Sequence, residues 1–362
     1  MKRRELLTAV LGSPLLIAAS KIEQSTTLPP LLEHELIVAG CYSGPITDGG
    51  WSMIHYKGLM AAKKAYPAMK LITVESVPYS TNATRIFRHL VAEGAQMVFA
   101  ASMFGDFLKN VSLRSPEVAF IECDGQTVLP NLGWFYIKHW DVGYILGQAA
   151  GLMSKTKKLG FVGSFPVPSV IGHANSVLLG ARSVAPDITV QVININAWFD
   201  PQAATQAATA LCDSGCDILF GMMNEASYLR VAEQRGLMAV MWNTDMRSFG
   251  PKAYISSTSC DFSGFYINQI GQRLQGVWSS HPVFLSLAQG VDRDAWGENV
   301  PSSVARQADA TRERILKGYN PFIGPLYDIN GKMRIPKDHQ MTAMELYKWD
   351  WPLKGVMGID LN

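Results

Sequence analysis

From residue 35 onward, short runs of Val, Ile, Leu and Phe alternate with longer segments whose apolar residues recur every three or four positions. The runs Leu71-Ile72-Thr73-Val74, Met97-Val98-Phe99-Ala100 and Val118-Ala119-Phe120-Ile121 are apolar at nearly every position and too short for helices. Strands buried on both faces read this way. Between them, Trp51, Ile54, His55, Gly58, Leu59, Ala62, Ala65 and Tyr66 draw one stripe along a helix over 51–66. A second helix begins near Ser80, buries Ile86, Phe87, Leu90 and Val91, and stops at Gly94. Strands and helices in this alternation form a parallel sheet covered on both faces.

The pattern weakens across 126–136, resumes with a helix over 139–153, and starts again after the polar junction Lys155-Thr156-Lys157-Lys158. The second run holds strands near 159–162 and 188–195 with a helix over 169–183 between them. Next comes a helix with Asp200 as its N-cap and Pro201 as its first residue, closed by Gly215. Segments 217–222, 228–235 and 237–242 continue the alternation. Two similar α/β units predict two doubly wound lobes around a ligand cleft. The expected division is 33–157 for the N-terminal lobe, with about 248–282 returning to it, and 158–247 plus about 283–362 for the C-terminal lobe.

The first twenty residues form a separate object. Met1 to Arg4 is basic, 6–19 is apolar and uncharged, and Ala18-Ala19-Ser20 supplies the small residues of a cleavage site, so 1–20 reads as a signal peptide. About fourteen apolar residues fall short of the roughly twenty a membrane-spanning helix needs. Arg3-Arg4-Glu5-Leu6-Leu7 leaves both the Sec and the twin-arginine route open. Val38-Ala39-Gly40-Cys41 has the letters of a lipobox, but Glu33, His34 and Glu35 stand directly before it, and 35–41 is better explained as the first strand. The mature protein is therefore expected free in the periplasm.

Composition narrows the possible partners. The chain has 362 residues, 32 basic and 30 acidic, for a net charge of +2. Without Lys2, Arg3, Arg4 and Glu5, 29 basic and 29 acidic residues remain, so the excess belongs to the leader. A neutral mature chain gives no reason to expect nucleic acid. Five cysteines do not make a disulfide framework in a chain this long.

In open parallel sheets, ligands sit beyond the carboxyl ends of the strands, where loops and helix N-termini supply directed donors. That rule selects the loops 42–51, 102–104, 124–126, 164–168, 196–200, 223–225 and 243–246. Aromatic rings recur in them as Trp51, Phe104, Phe165, Trp198 and Phe199, and carboxylates or amides as Asp48, Asp124, Asp200, Asn224 and Asp245. Flat rings beside hydrogen-bonding groups suit a planar ligand with polar edges and little charge.

Catalytic signatures are thin. The sequence has no Gly-x-Ser-x-Gly elbow, no His-Glu-x-x-His, no phosphate-binding Gly-Lys-Ser/Thr loop and no Gly-x-Gly-x-x-Gly after the first strand. The seven histidines do not pair at metal spacing, and Cys212 and Cys216 lack a histidine partner nearby. No cofactor, metal or catalytic residue is expected. His55 lies on the stripe of Trp51, which favours a packed, hydrogen-bonded histidine. Asp48 in Asp-Gly-Gly also suits a plain turn, and Asp200 a helix cap.

Four segments make the pattern specific: 44–51 (Gly-Pro-Ile-Thr-Asp-Gly-Gly-Trp), 160–166 (Gly-Phe-Val-Gly-Ser-Phe-Pro), 198–201 (Trp-Phe-Asp-Pro) and 243–246 (Asn-Thr-Asp-Met). In this order and spacing they resemble the basic membrane protein family of bacterial ABC-transporter substrate-binding proteins, the group that includes purine nucleoside receptors. The resemblance implies a type I periplasmic-binding-protein fold, with two lobes joined by three crossovers and closing on a purine held between aromatic rings. It also implies a permease in the inner membrane as partner, and a monomer is expected. Under the resemblance, Asp48 would accept hydrogen bonds from the purine edge, Trp51 and Phe165 would stack on the base, and Asp245 would meet ribose hydroxyls beside Asn224. Phe104 and Trp198 complete the expected ligand-binding set.

Two departures fall among polar contacts. Ser52 replaces the asparagine that commonly follows the first-loop aromatic, and Cys260 and Asp261 stand where a lysine often occurs. A missing buried partner costs about 1–3 kcal/mol, which tilts the expectation toward a nucleobase over a nucleoside. The rival readings are a nucleoside-processing enzyme, such as a hydrolase, on the same scaffold, and a ligand sensor that does not transport.

Overall fold

The computed structural model describes residues 28–359; the leader at 1–20 lies outside them. The first run of elements is β1 (Ile37–Cys41), α1 (Trp51–Ala65), β2 (Lys70–Val74), α2 (Thr81–Ala92), β3 (Met97–Ala100), α3 (Asp106–Ser112), β4 (Ala119–Cys123) and β5 (Leu132–Ile137). The second is α4 (His139–Met153), β6 (Lys158–Gly163), α5 (Pro168–Arg182), β7 (Thr189–Asn194), α6 (Pro201–Asp213), β8 (Ile218–Gly221), α7 (Ser227–Arg235), β9 (Met238–Asn243) and β10 (Tyr254–Cys260). The chain ends through α8 (Ser263–Gln275), β11 (Pro282–Leu285), β12 (Val291–Arg293), α9 (Ser302–Leu316), β13 (Leu326–Tyr327), β14 (Met333–Ile335), α10 (Ala343–Tyr347) and β15 (Val356–Met357).

The strands form two large sheets, ordered β11-β5-β4-β3-β1-β2 and β12-β10-β9-β8-β6-β7-β15, plus the small pair β13-β14. All pairings in the first sheet are parallel. In the second, β12 alone runs antiparallel, along the edge of β10. Both sheets put their first strand between the second and the third, so strand order reverses between β1 and β3 and again between β6 and β8. Such reversals open a crevice at the carboxyl ends of the strands, and that is where each lobe can hold a ligand.

Hydrophobic burial explains how the lobes are joined. One face of the first sheet packs under α2 and α3 around Phe87, Phe104 and Phe120. One face of the second packs under α6 and α7 around Leu211, Tyr228 and Met241. The other faces of both sheets share a single core that runs through the connections, including Phe135, Phe262, Tyr266, Trp140 and Trp242.

Most predicted elements are present, with Ser80 capping α2 and Asp200 capping α6. The lobe boundaries differ from the sequence expectation. Helix α4 follows the first sheet directly, yet it packs along α5 and α9 of the second unit. It is buried on nearly every side, so it needs a neighbour all round. Gly147 and Gly180 let the two backbones meet: a Cβ on either would strike a carbonyl oxygen of the facing helix. The chain thus crosses at about residue 138, not 157, and Lys155 to Lys158 is the turn between α4 and β6. The segment β10 pairs with β9 in the second sheet, so the return to the first sheet begins at α8 and ends with β11. The last crossing lies between Leu285 and Val291.

Candidate functional site

The crevice of the first sheet is built by the loop from Cys41 to Trp51. Asp48 organises it: Oδ1 accepts from the amides of Gly50 at 2.8 Å and Met53 at 3.1 Å, and Oδ2 from Ser52 at 3.0 Å. Its carboxylate therefore ties down the first turn of α1, where a negative charge also meets the helix dipole. Ser52 fixes the same loop, because its Oγ accepts from the amide of Gly44 at 3.2 Å.

Trp51 lies across the reversal point. Its indole Nε1 donates to the carbonyl of Ala101, just past β3, at 2.8 Å. The ring meets His55 edge-on at 4.7 Å and Phe262, on the second connection between lobes, at 5.6 Å. His55 is a packed residue: it stacks on Phe262 at 4.3 Å, pairs through Nδ1 with the Tyr266 hydroxyl at 2.5 Å, and burial pushes its pKa down to about 3.

Phe104 does not line the crevice. It is buried in the core of the first lobe, with Phe87 edge-on at 5.3 Å and Tyr79 stacked on it at 5.2 Å. Tyr79 is the ring that reaches solvent, 55 % exposed. Beneath this pair, Glu122 Oε1 accepts from the amides of Phe104 at 2.6 Å and Gly105 at 2.8 Å. Burial outweighs those bonds and pushes its carboxyl up to about 7. Asp124, at the end of β4, has a left-handed backbone with φ 60° and donates its amide to the Phe135 carbonyl at 2.9 Å.

The second crevice has the matching rings. Phe165 follows β6 and meets Trp198 at 5.8 Å with an interplanar angle of 54°. Trp198 and Phe199 are 39 % and 59 % exposed, so both are open to a ligand or a partner. Asp200 caps α6 by accepting from Ala203 N at 3.0 Å. Asn224 follows β8; its amide donates to the Trp198 carbonyl at 2.9 Å and its Oδ1 accepts from Asn243 Nδ2 at 2.7 Å. The two banks meet here, since a Cβ on Gly50 would lie 3.0 Å from Asn224. Asp245 points to solvent and pairs with Arg247 at 2.8 Å, which also pairs with Asp294 at 2.7 Å.

The carboxyl end of the second sheet also carries buried polar atoms without a hydrogen-bond partner among the described residues: Ser164 Oγ, Asn194 Oδ1, Glu225 Oε1, Tyr228 Oη and Asn243 Oδ1. Asn243 holds a left-handed backbone at φ 74°, a conformation that costs about 1 kcal/mol and is common where function demands it. Burial pushes the Glu225 carboxyl above its ordinary range, while its other oxygen accepts from Ser227 N at 2.6 Å. An unpaired buried polar atom carries a desolvation cost that a polar ligand can relieve. Four of the five lie in or beside the loops that the strand-end rule selects; Glu225 and Asn243 are an acid and an amide within those loops that the sequence reading did not single out, and nothing in the local sequence marks them as unpartnered.

Among the described residues no cluster of His, Cys, Asp or Glu is arranged to hold a metal, and no helix is long and apolar enough to cross a membrane. All five cysteines are free thiols, and burial pushes those of Cys41, Cys123 and Cys260 up.

Comparison with known proteins bears on this architecture. The sequence pattern of the Bmp family, described as ABC transporter substrate-binding protein PnrA-like, matches residues 36–315. A purine-binding protein of Brucella abortus is 31% identical over 327 residues, 90% of this chain and 93% of that protein. A putative ABC transporter glucose-binding protein of Haloferax volcanii is 31% identical over 280 residues, 77% of this chain and 71% of its own. Among solved structures, a solute-binding protein of an ABC transporter system from Aeropyrum pernix aligns with a TM-score of 0.68 at 13% identity, covering 84% of this chain and 94% of that one. One from Conexibacter woesei aligns at 0.65 and 20% identity, covering 78% and 97%. The fold is the periplasmic-binding-protein type I fold.

Proposed function

The chain belongs to the Bmp family of PnrA-like ABC-transporter substrate-binding proteins, and we propose that its ligand is a purine, a nucleobase in preference to a nucleoside. The family's role is extracytoplasmic solute binding rather than catalysis, and its members work with a membrane permease. In this reading the leader at 1–20 exports the chain to the periplasm by the Sec or twin-arginine route, and a monomer delivers the ligand to an inner-membrane permease.

The observation that carries the purine reading is the match between the two reversal points. Each presents an aromatic ring, Trp51 on the first lobe and Phe165 with Trp198 on the second, and unpaired polar atoms gather beside the second. A purine offers two flat faces for stacking and a rim of nitrogen and oxygen atoms. Trp51 walls one face, Phe165 and Trp198 the other, and Asn243, Glu225, Tyr228 and Ser164 take the rim. Asp48 shapes the loop that carries Trp51. Asn224 orients Asn243, Asp245 stands at the mouth, and Phe104 supports Tyr79 from below. The name of the Brucella abortus relative supports the same class.

Preference for the base rests on two polar groups already occupied. Ser52 Oγ holds the Gly44 amide, and Asp261 Oδ1 accepts from Ser263 N, at the start of α8, at 2.9 Å. Closure of the lobes about the three connections then buries the ligand and creates the face a permease reads.

Native mass spectrometry of protein purified from its host tests the proposal. The expected adduct has the mass of a purine base. A hexose adduct, the class named for the Haloferax volcanii relative, would overturn it, and conversion of an added nucleoside to base and sugar would favour the hydrolase.

A further inference from the structure

A cavity of about 170 Å³, lined by none of the residues of the two reversal points, lies where the first connection enters α4. Trp140, Ile315 and Leu346 give it an apolar floor, and Lys138, Asp141 and Tyr319 bring polar groups to its wall. Asp141 is only 9% exposed, and no hydrogen bond among the described residues reaches its carboxylate. Its place in the first turn of α4 puts it near the positive end of the helix dipole. Its own backbone amide donates to the Lys138 carbonyl at 3.1 Å, and its carboxylate oxygens are left to the cavity without a protein partner among the described residues.

Lys138 lies close enough to oppose the burial of Asp141, yet no ion pair joins them. Burial still dominates and pushes the Asp141 carboxyl up to about 7. The cavity therefore presents one unpaired carboxylate and one unpaired ammonium, not bonded to each other, over an apolar floor. A ligand with only a positive charge would leave Lys138 unpaired and repelling it, and one with only a negative charge would do the same with Asp141.

We propose that this cavity is a second binding site for a small zwitterion with an apolar body, an α-amino acid of the leucine or phenylalanine class, with its ammonium on Asp141 and its carboxylate on Lys138. The side chain lies against Trp140, Ile315 and Leu346, whose apolar surface it removes from water. The site shares no lining residue with the purine cleft and does not depend on the purine reading.

Calorimetric titration of the mature chain at pH 8 with L-phenylalanine and L-leucine tests it. Phenethylamine and 3-phenylpropionate, which each carry one of the two charges, serve as comparisons. The amino acids are expected to bind at least about tenfold more tightly than either comparison compound. Asp141→Asn and Lys138→Met should each weaken the amino acid about tenfold, whereas Trp51→Ala, in the cleft, leaves it unchanged. Absence of heat with both amino acids up to about 10 mM would overturn the proposal. So would binding that survives Asp141→Asn but disappears with Trp51→Ala, or a single-charge compound that binds as tightly as the amino acid.

Discussion

On the first bank of the cleft, the carboxylates of Asp48 and Glu122 and the indole N–H of Trp51 all end on backbone atoms of their own lobe. On the second bank, buried oxygens of Ser164, Asn194, Glu225, Tyr228 and Asn243 have no partner among the described residues. Both banks rest on sheets with the same reversal of strand order, so topology does not make the difference. Apart from Tyr42 Oη and His55 Nε2, which are buried without a partner among the described residues, the first bank is closed by its own fold and offers mainly a ring. The second is left short of hydrogen bonds, and a ligand can supply them. Polar changes on the first bank should therefore act on stability, and on the second bank on binding.

The largest expected effect is at Trp51, the ring proposed to face the ligand on the first bank. Trp51→Ala should weaken purine binding about 100-fold, near the top of the 1–3 kcal/mol that base stacking on an aromatic ring provides. A fluorescence titration checks this, and an affinity within about threefold of the parent would move the first wall of the site elsewhere. Next is Asp48→Ala, which leaves the amides of Gly50, Ser52 and Met53 without their acceptor. The expected loss is about 2 kcal/mol of stability by urea unfolding, with affinity little changed. If affinity fell instead and stability held, the contrast between the banks would be lost.

A pH series sharpens the same point at Glu122. Its carboxyl is raised from 4.5 to about 7 in the folded chain, so between those values the folded state keeps a proton that the unfolded chain has released. Its contribution is full below about pH 4.5 and declines as pH rises through about 7, by up to roughly 1.4 kcal/mol per unit. Glu122→Gln keeps an oxygen for the Phe104 and Gly105 amides but cannot ionise. The variant should gain stability relative to the parent between about pH 5 and 7. Equal slopes in the two proteins would contradict the assigned shift. Buried His55, His139 and His173, whose pKa values burial lowers, slope the other way in both proteins and cancel in the difference.

The smallest effect belongs to the second bank. Tyr228→Phe removes a buried hydroxyl that has no partner in this structure. Unfolding stability should hold or rise slightly, while purine affinity drops about fivefold, near 1 kcal/mol. Loss of stability without loss of affinity would show that the hydroxyl belongs to the fold alone.

The sequence made the α/β alternation legible because strands buried on both faces leave uninterrupted apolar runs, and helices α1 and α2 carry one stripe each. It misplaced α4 because a helix apolar on all sides does not say which neighbour covers it, and the charged turn after it imitates a boundary. Strand β10 was hard to place because Ser256, Ser257, Thr258 and Ser259 carry few of the apolar side chains that mark a buried strand. In the candidate site, strand ends select loops that the fold brings together, as where Gly50 approaches Asn224 and Phe165 meets Trp198. Which side chain in a loop is free depends on contacts the local sequence does not contain. Asp48 is claimed by amides of the helix it precedes, and Phe104 is covered by Tyr79 from the loop after β2. Asn243 and Tyr228 are ordinary residues until the fold buries them without partners.

The most direct test is a calorimetric titration of the mature chain, freed of any bound ligand, with adenine, guanine, adenosine, guanosine and glucose. A one-to-one complex with at least one base is expected, about tenfold or more tighter than with the matching nucleoside. Heat with glucose alone, or none with any purine, would contradict it.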